Sequence, residues 1–277
     1  MLKMGFLHGD INIGKVLMLD PPVTKPFGAW TMEQLVTQLR FQDGGERLAK
    51  HFSLLEKMIK ELGSPDKCYG FVIGGDMATR LEGCSTSRNT GGRYVGTSDC
   101  EQGILTNVTS TQGTYEFMSR NLVKTPTPWS PSPRMHSPID DLESFYYTAQ
   151  WAAAFNDGTS EREHDENEIR WFRRMLSGSR RSDATHMVQS RSYDLWEQME
   201  EVYGPFFTRS TAILRPWFEK LATLTTDWSP VTVLAERLDD TKKEEYLVEN
   251  SLAYGYRGVA EYFELLRKHR ALLEKAV

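Results

Sequence analysis

Asp140-Asp141-Leu142-Glu143-Ser144-Phe145-Tyr146-Tyr147-Thr148-Ala149-Gln150-Trp151-Ala152-Ala153-Ala154-Phe155 carries no charge after Glu143 and reads as a buried helix. Asp140 followed three positions later by Glu143 has the form of a capping box: Asp140 caps the first turn and Glu143 reaches back to its amide. Apolar side chains then fall on opposite faces, with Leu142, Phe145, Tyr146, Ala149, Ala152 and Ala153 on one and Tyr147, Trp151 and Ala154 on the other. A helix that is apolar all round has to be enclosed. The uncharged run is shorter than the ~20 residues needed to cross a bilayer, so the expected enclosure is a protein core.

Working outward, 277 residues with 39% hydrophobic and 26% charged content describe a soluble globular chain, read as a single domain over 1–277. The net charge is −5, and Lys and Arg are scattered, so neither a nucleic acid nor an acidic membrane surface is expected as a partner. Cys68, Cys84 and Cys100 are odd in number and form no CxxC pair, which predicts reduced thiols rather than disulfides or a zinc site. Together with the lack of a sustained apolar leader after Met1, this favours the cytoplasm, with the nucleus as the alternative.

Near the start, His8-Gly9-Asp10 forms a Gly-containing turn ahead of a short apolar strand at Val16–Leu19, and Pro21 to Phe27 reads as loop. Thr31–Leu39 and Gly45–Leu62 read as helices. The second carries Leu48, Phe52, Leu55, Ile59 and Leu62 on one face. Tyr69–Ile73 is a second buried strand, closed by Gly74-Gly75-Asp76, and Thr79 to Gly113 has the composition of a long mobile segment. Order returns at Gly113–Ser119, and a Pro-rich connection leads to the central helix. Beyond it, helices are expected at Ile169–Leu176, Tyr193–Tyr203, Thr208–Leu224 and Lys242–Ala276, with Pro216 bending or interrupting the third.

In this order, four landmarks resemble the C-terminal lobe of a protein kinase, most closely the fungal-type protein kinase family. His8-Gly9-Asp10-Ile11-Asn12-Ile13-Gly14-Lys15 is similar to the catalytic loop, and Phe71-Val72-Ile73-Gly74-Gly75-Asp76 to the metal-binding strand and turn. Gly113-Thr114-Tyr115-Glu116-Phe117-Met118-Ser119 is similar to the end of the activation segment, and His136 through Trp151 is the most specific match. The resemblance implies a mainly α fold, a kinase-like C-terminal lobe with a few short strands and no N-terminal lobe. Residues 31–63 are then a helical insertion between catalytic loop and metal-binding turn, and 79–113 a flexible activation-like segment.

The resemblance assigns Asp10 as the base that accepts the substrate proton, with His8 beside it. It assigns Asp141 to hold the loop by hydrogen bonds to amides near His8 and Gly9. It also shows departures. Lys15 stands where the family presents a metal-binding asparagine, and lysine has no acceptor for a metal. Gly74 stands where the metal-binding aspartate belongs, leaving Asp76, two residues on, as the only candidate ligand. Asn121 replaces the glutamate that closes the activation segment. No Gly-rich loop or nucleotide-binding lysine precedes His8.

The expectation is therefore a catalytically inactive kinase-like chain, either a scaffold or a partial gene product, that binds no cofactor. An apolar groove, exposed where a helix ahead of the catalytic loop is missing unless the helical excursion between Asp10 and Asp76 fills it, would take a protein partner or a second copy. Two alternatives stand. One is an active Ser/Thr kinase using ATP and Mg2+ with an N-terminal lobe encoded upstream. The other is a small-molecule phosphotransferase of the aminoglycoside or choline kinase type, which the His136–Trp151 match opposes.

Overall fold

The computed structural model describes residues 6–12, 14–24, 45–62, 67–72, 79–80, 117–123, 136–154 and 196–274. In chain order these are β1 (Phe6–Leu7), β2 (Val16–Thr24), α1 (Gly45–Leu62), β3 (Lys67–Val72), β4 (Thr79–Arg80), α2 (Arg120–Val123), α3 (Pro138–Ala154), α4 (Trp196–Ala235), α5 (Asp240–Lys268) and α6 (Arg270–Glu274). The fold is mainly helical, as expected, and none of the described helices is long and apolar enough to cross a membrane.

The strands form two antiparallel pairs, one nested inside the other along the chain. β2 pairs with β3, Val16 opposite Val72, and β1 pairs with β4, Leu7 opposite Thr79. Val72 and Thr79 are thereby paired with the strands on either side of the turn that begins at His8. Two expectations are corrected here. Thr79 and Arg80 are strand rather than the start of a mobile segment. β2 also continues past Leu19 to Thr24, through Pro21 and Pro22, which had read as loop. Proline cannot donate to a ladder, and the register shifts between Met18 and Val23, so the two prolines sit in the irregularity and pairing resumes beyond it.

α3, α4 and α5 build the main core. Tyr146 on α3 meets Trp217 of α4 edge-on at 5.4 Å, and Trp217 stacks on Tyr262 of α5 at 4.2 Å. At Gly258 a Cβ would come within 2.4 Å of Leu142 Cδ1 and 3.1 Å of Leu224 Cδ1, so glycine lets α5 approach both neighbours. α3 is less enclosed than its composition predicts: Tyr146 and Tyr147 are buried, whereas Phe145 is 38% exposed.

α4 runs unbroken for 40 residues through Pro205, Pro216 and Pro230, replacing two separate helices expected over the same stretch. An interior proline costs ~3 kcal/mol. On both sides of Pro216, Leu214, Trp217, Leu221, Leu224, Trp228 and Val231 are buried, each contributing roughly 1.5–3 kcal/mol, so packing outweighs the prolines. α5 begins two residues earlier than expected, because Asp239 caps it by accepting from the Lys242 amide at 3.0 Å. At the other end His269 interrupts what had read as one helix to Ala276.

α1 has the predicted bounds, and its apolar face is packed rather than open. Phe52 and Leu55 join Leu7, Val248, Leu252, Tyr256 and Ala260 in a second cluster between α1, β1 and α5. Phe52 meets Tyr256 edge-on at 5.4 Å, and Arg267 pairs with Glu61 at 3.1 Å across the same contact. α1 thus covers apolar surface of β1 and α5 next to the His8 turn. The expected helices at Thr31–Leu39 and Ile169–Leu176 lie outside the described residues, as do residues 81–113 of the segment expected to be activation-like.

Candidate functional site

The site is the turn between β1 and β2, and its shape follows from short-range bonds. Gly9 has φ of 80°, a left-handed backbone that glycine adopts without a Cβ penalty. The Asp10 amide donates to His8 Nδ1 at 3.3 Å. Asn12 then forms an Asx turn, its Oδ1 accepting from the Gly14 amide at 3.0 Å while its carbonyl accepts from the Lys15 amide at 3.0 Å.

Asp10, the residue expected to act as a base, does not stand open. Asn12 Nδ2 donates to its Oδ1 at 3.0 Å, and the Lys15 ammonium is bonded to its Oδ2. Side-chain exposures of 22% for Lys15 and 12% for Asp10 make this a largely desolvated ion pair. Lys15 thus places its own cation on the carboxylate. Lys15 offers a metal no lone pair, and each Asp10 oxygen already holds one donor. Gly74 and Asp76 lie outside the described residues. Among the described residues no group of three or more His, Cys, Asp or Glu side chains is arranged to hold a metal.

Asp141 reaches this turn from the start of α3. Its Oδ2 accepts from the His8 amide at 2.6 Å and its Oδ1 from the Gly9 amide at 3.0 Å. These are the contacts expected of it from the sequence, made across more than 130 residues of chain. His136 Nε2 lies 3.3 Å from the same Oδ1. Burial pushes the Asp141 carboxyl upward, but the His136 bond and charge and the two amides outweigh it, and its pKa lies below the ordinary carboxylate value. For His136 burial pulls the other way, yet the hydrogen bond to Asp141 and the charges of Asp141 and Asp140 raise its pKa above the ordinary imidazole value.

The capping box is displaced from its predicted position. Ser137 is the residue before the helix and Pro138 its first residue, a position proline favours. Asp140, one turn in, reaches back to accept from the Ser137 amide at 2.6 Å and from its hydroxyl at 2.8 Å. Asp140 is therefore the returning carboxylate of a box begun by Ser137, and it also accepts from the Ser119 hydroxyl. Burial is the main cause that raises its pKa.

Glu143, freed from the predicted capping role, is buried against the first residue of α2. It accepts from the Arg120 amide at 2.8 Å, from Arg120 Nη2 at 2.9 Å and from the Thr225 hydroxyl at 3.1 Å. Burial lowers the Arg120 pKa, and Glu143 together with Tyr147 and Tyr146 more than restores it.

Three acids in the first turns of one helix thus hold three separate segments. Asn12, Ser137, Arg120 and His136 carry much of this arrangement and had no assigned role in the sequence. Asn12 had a visible signal, an Asn two residues before Gly in a turn. Ser137-Pro138 had one too, a cap residue followed by a first-turn proline. Arg120 and His136 had none, because their partners are distant or depend on packing. Comparison with protein-family models, curated proteins and solved structures gave no match.

Proposed function

We propose that the chain is a protein-kinase-like C-terminal lobe, similar to the fungal-type family, that does not transfer phosphate and acts by binding another protein in the cytoplasm. The observation that carries the reading is the closed Asp10 carboxylate, bonded at one oxygen by Asn12 and at the other by Lys15. A base needs a free lone pair directed at the substrate hydroxyl, and phosphoryl transfer needs metal charge on the phosphates. Lys15 lowers the basicity of that carboxylate by placing a cation on it, and takes the place of a ligand for the metal.

Further support comes from the order and connection of the landmarks. The turn carrying Asp10 is tied by Asp141 to a central helix, and Glu143 and Asp140 of that helix hold the segment at Ser119 and Arg120. This scaffold would suit a kinase loop, yet it holds one in which the reactive carboxylate is internally neutralised.

Calorimetric titration of the chain with ATP and Mg2+, alongside thermal unfolding, tests the reading. The expected outcome is no binding heat at near-millimolar nucleotide and no shift in Tm. Metal-dependent nucleotide binding with phosphate transfer to a protein would establish an active kinase instead. Transfer to a small amino alcohol or aminoglycoside would establish the third reading.

A further inference from the structure

We propose that His136, Asp141 and the His8–Gly9 amides form a proton-gated clamp, in which the turn carrying Asp10 is held firmly while His136 is protonated and loosens when it is not. Asp141 Oδ1 is shared between the Gly9 amide at 3.0 Å and His136 Nε2 at 3.3 Å, while Oδ2 takes the His8 amide at 2.6 Å. The side chains of His136 and Asp141 are only 21% and 16% exposed, so solvent does little to screen them. Asp140 is the next residue and is buried, so His136 faces two adjacent carboxylates.

The charges around His136 set the direction of the effect. From α3 it faces Asp141 and Asp140, the two residues whose charges favour its protonated form. From the β1–β2 turn comes His8, whose amide is held by the same Asp141. The ammonium of Lys15 is engaged by Asp10, and the guanidinium of Arg120 by Glu143. Loss of the proton therefore leaves neighbouring buried carboxylates without the cation placed against them, and the cost falls on the bonds Asp141 makes to the turn.

The pH window follows from two opposite shifts. His136 has a raised pKa, so its contribution is complete below the unfolded value of about 6.5 and is lost as pH rises through the folded pKa. Asp141 has a lowered pKa, so its contribution is complete above about 3.9 and is lost as pH falls through its folded pKa. The clamp is closed between these limits. It depends on this geometry alone and holds whether or not the turn performs catalysis.

The test is amide hydrogen exchange on the full chain, read at His8 and Gly9 and corrected for intrinsic rates, with the His136 ring titrated by NMR in the same samples. The ring is expected to titrate above the ordinary imidazole value. Protection of the two amides should fall roughly threefold or more across that titration, while amides within α5 show no linked change. His136→Gln, which keeps a donor but has no titrating charge, should abolish the pH-linked loss, and His136→Asn serves if that variant folds poorly. A His136 titration at or below the ordinary value, or constant protection at His8 and Gly9 in the unaltered chain, overturns the clamp. So does an unchanged pH dependence in either variant.

Discussion

Leu7 and His8 are chain neighbours held by different physics. Leu7 is buried with Phe52, Leu55, Leu252 and Tyr256, a contact of apolar surface between β1, α1 and α5. His8 is held by its amide, through one carboxylate oxygen of Asp141 at the start of α3. Apolar burial is non-directional and tolerates a change of shape when volume is kept. The polar junction is directional, and removing one member leaves a buried partner unsatisfied. One region should therefore respond to lost volume and the other to lost charge.

The largest effects should come from removing a whole partner on either side. Leu55→Ala should cost about 2–5 kcal/mol by opening a cavity under α1. Glu143→Ala should cost a similar amount, about 3–5 kcal/mol, by stranding the buried Arg120 guanidinium. The contrast lies in the milder changes. Leu55→Met keeps volume and should lose less than about 1.5 kcal/mol. Glu143→Gln keeps shape but not charge and should remain within reach of the alanine value. Urea unfolding midpoints decide the matter, and equal tolerance of the two mild substitutions would remove the distinction.

A smaller effect, specific in pH, should come from Asp141→Asn. The variant retains an oxygen for one amide and loses the charge, at an expected cost of about 1.5–3 kcal/mol near neutral pH. Because the Asp141 pKa is lowered and that of its partner His136 is raised, this difference should be fullest between about pH 4 and about 6.5, shrinking as pH falls through the folded value of Asp141 and as it rises through that of His136. Asp140 is shifted upward and acts in the opposite sense, but it is present in both proteins and largely cancels in the difference. The cost of Leu55→Ala should be flat over the same range. A pH-independent cost at Asp141 would mean that its role is packing and not charge.

The same contrast explains what could be read from the sequence. α1 has its predicted bounds because Phe52 and Leu55 announce a buried face by helical spacing, and burial needs no named partner. Its packing against α5 could not be read, since spacing shows that a face is buried and not against what. Asp141 is aimed at the His8 turn only because a family resemblance supplied the partner, and no local pattern links positions so far apart. Asp140 and Glu143 show the limit of local pattern: they satisfy a capping box three residues apart, but Ser137 competes for the cap and Arg120 for the glutamate. α4 fails in the opposite direction, because proline is a strong local breaker whose cost here is outweighed by packing visible only in three dimensions.

The smallest effect should come from the one polar atom that sits inside the apolar grip on Leu7. Tyr256 is 2% exposed, and its hydroxyl is buried without a hydrogen-bond partner among the described residues, burial alone having raised its pKa. Its ring supplies the edge-on contact with Phe52, which phenylalanine would keep. Tyr256→Phe removes an unsatisfied group without opening a cavity, so stability should stay level or rise by about 1 kcal/mol. A loss above ~1 kcal/mol in urea unfolding would show that the hydroxyl has a partner after all. The region around Leu7 would then be partly polar in its energetics, and the division at Leu7 and His8 would lie elsewhere.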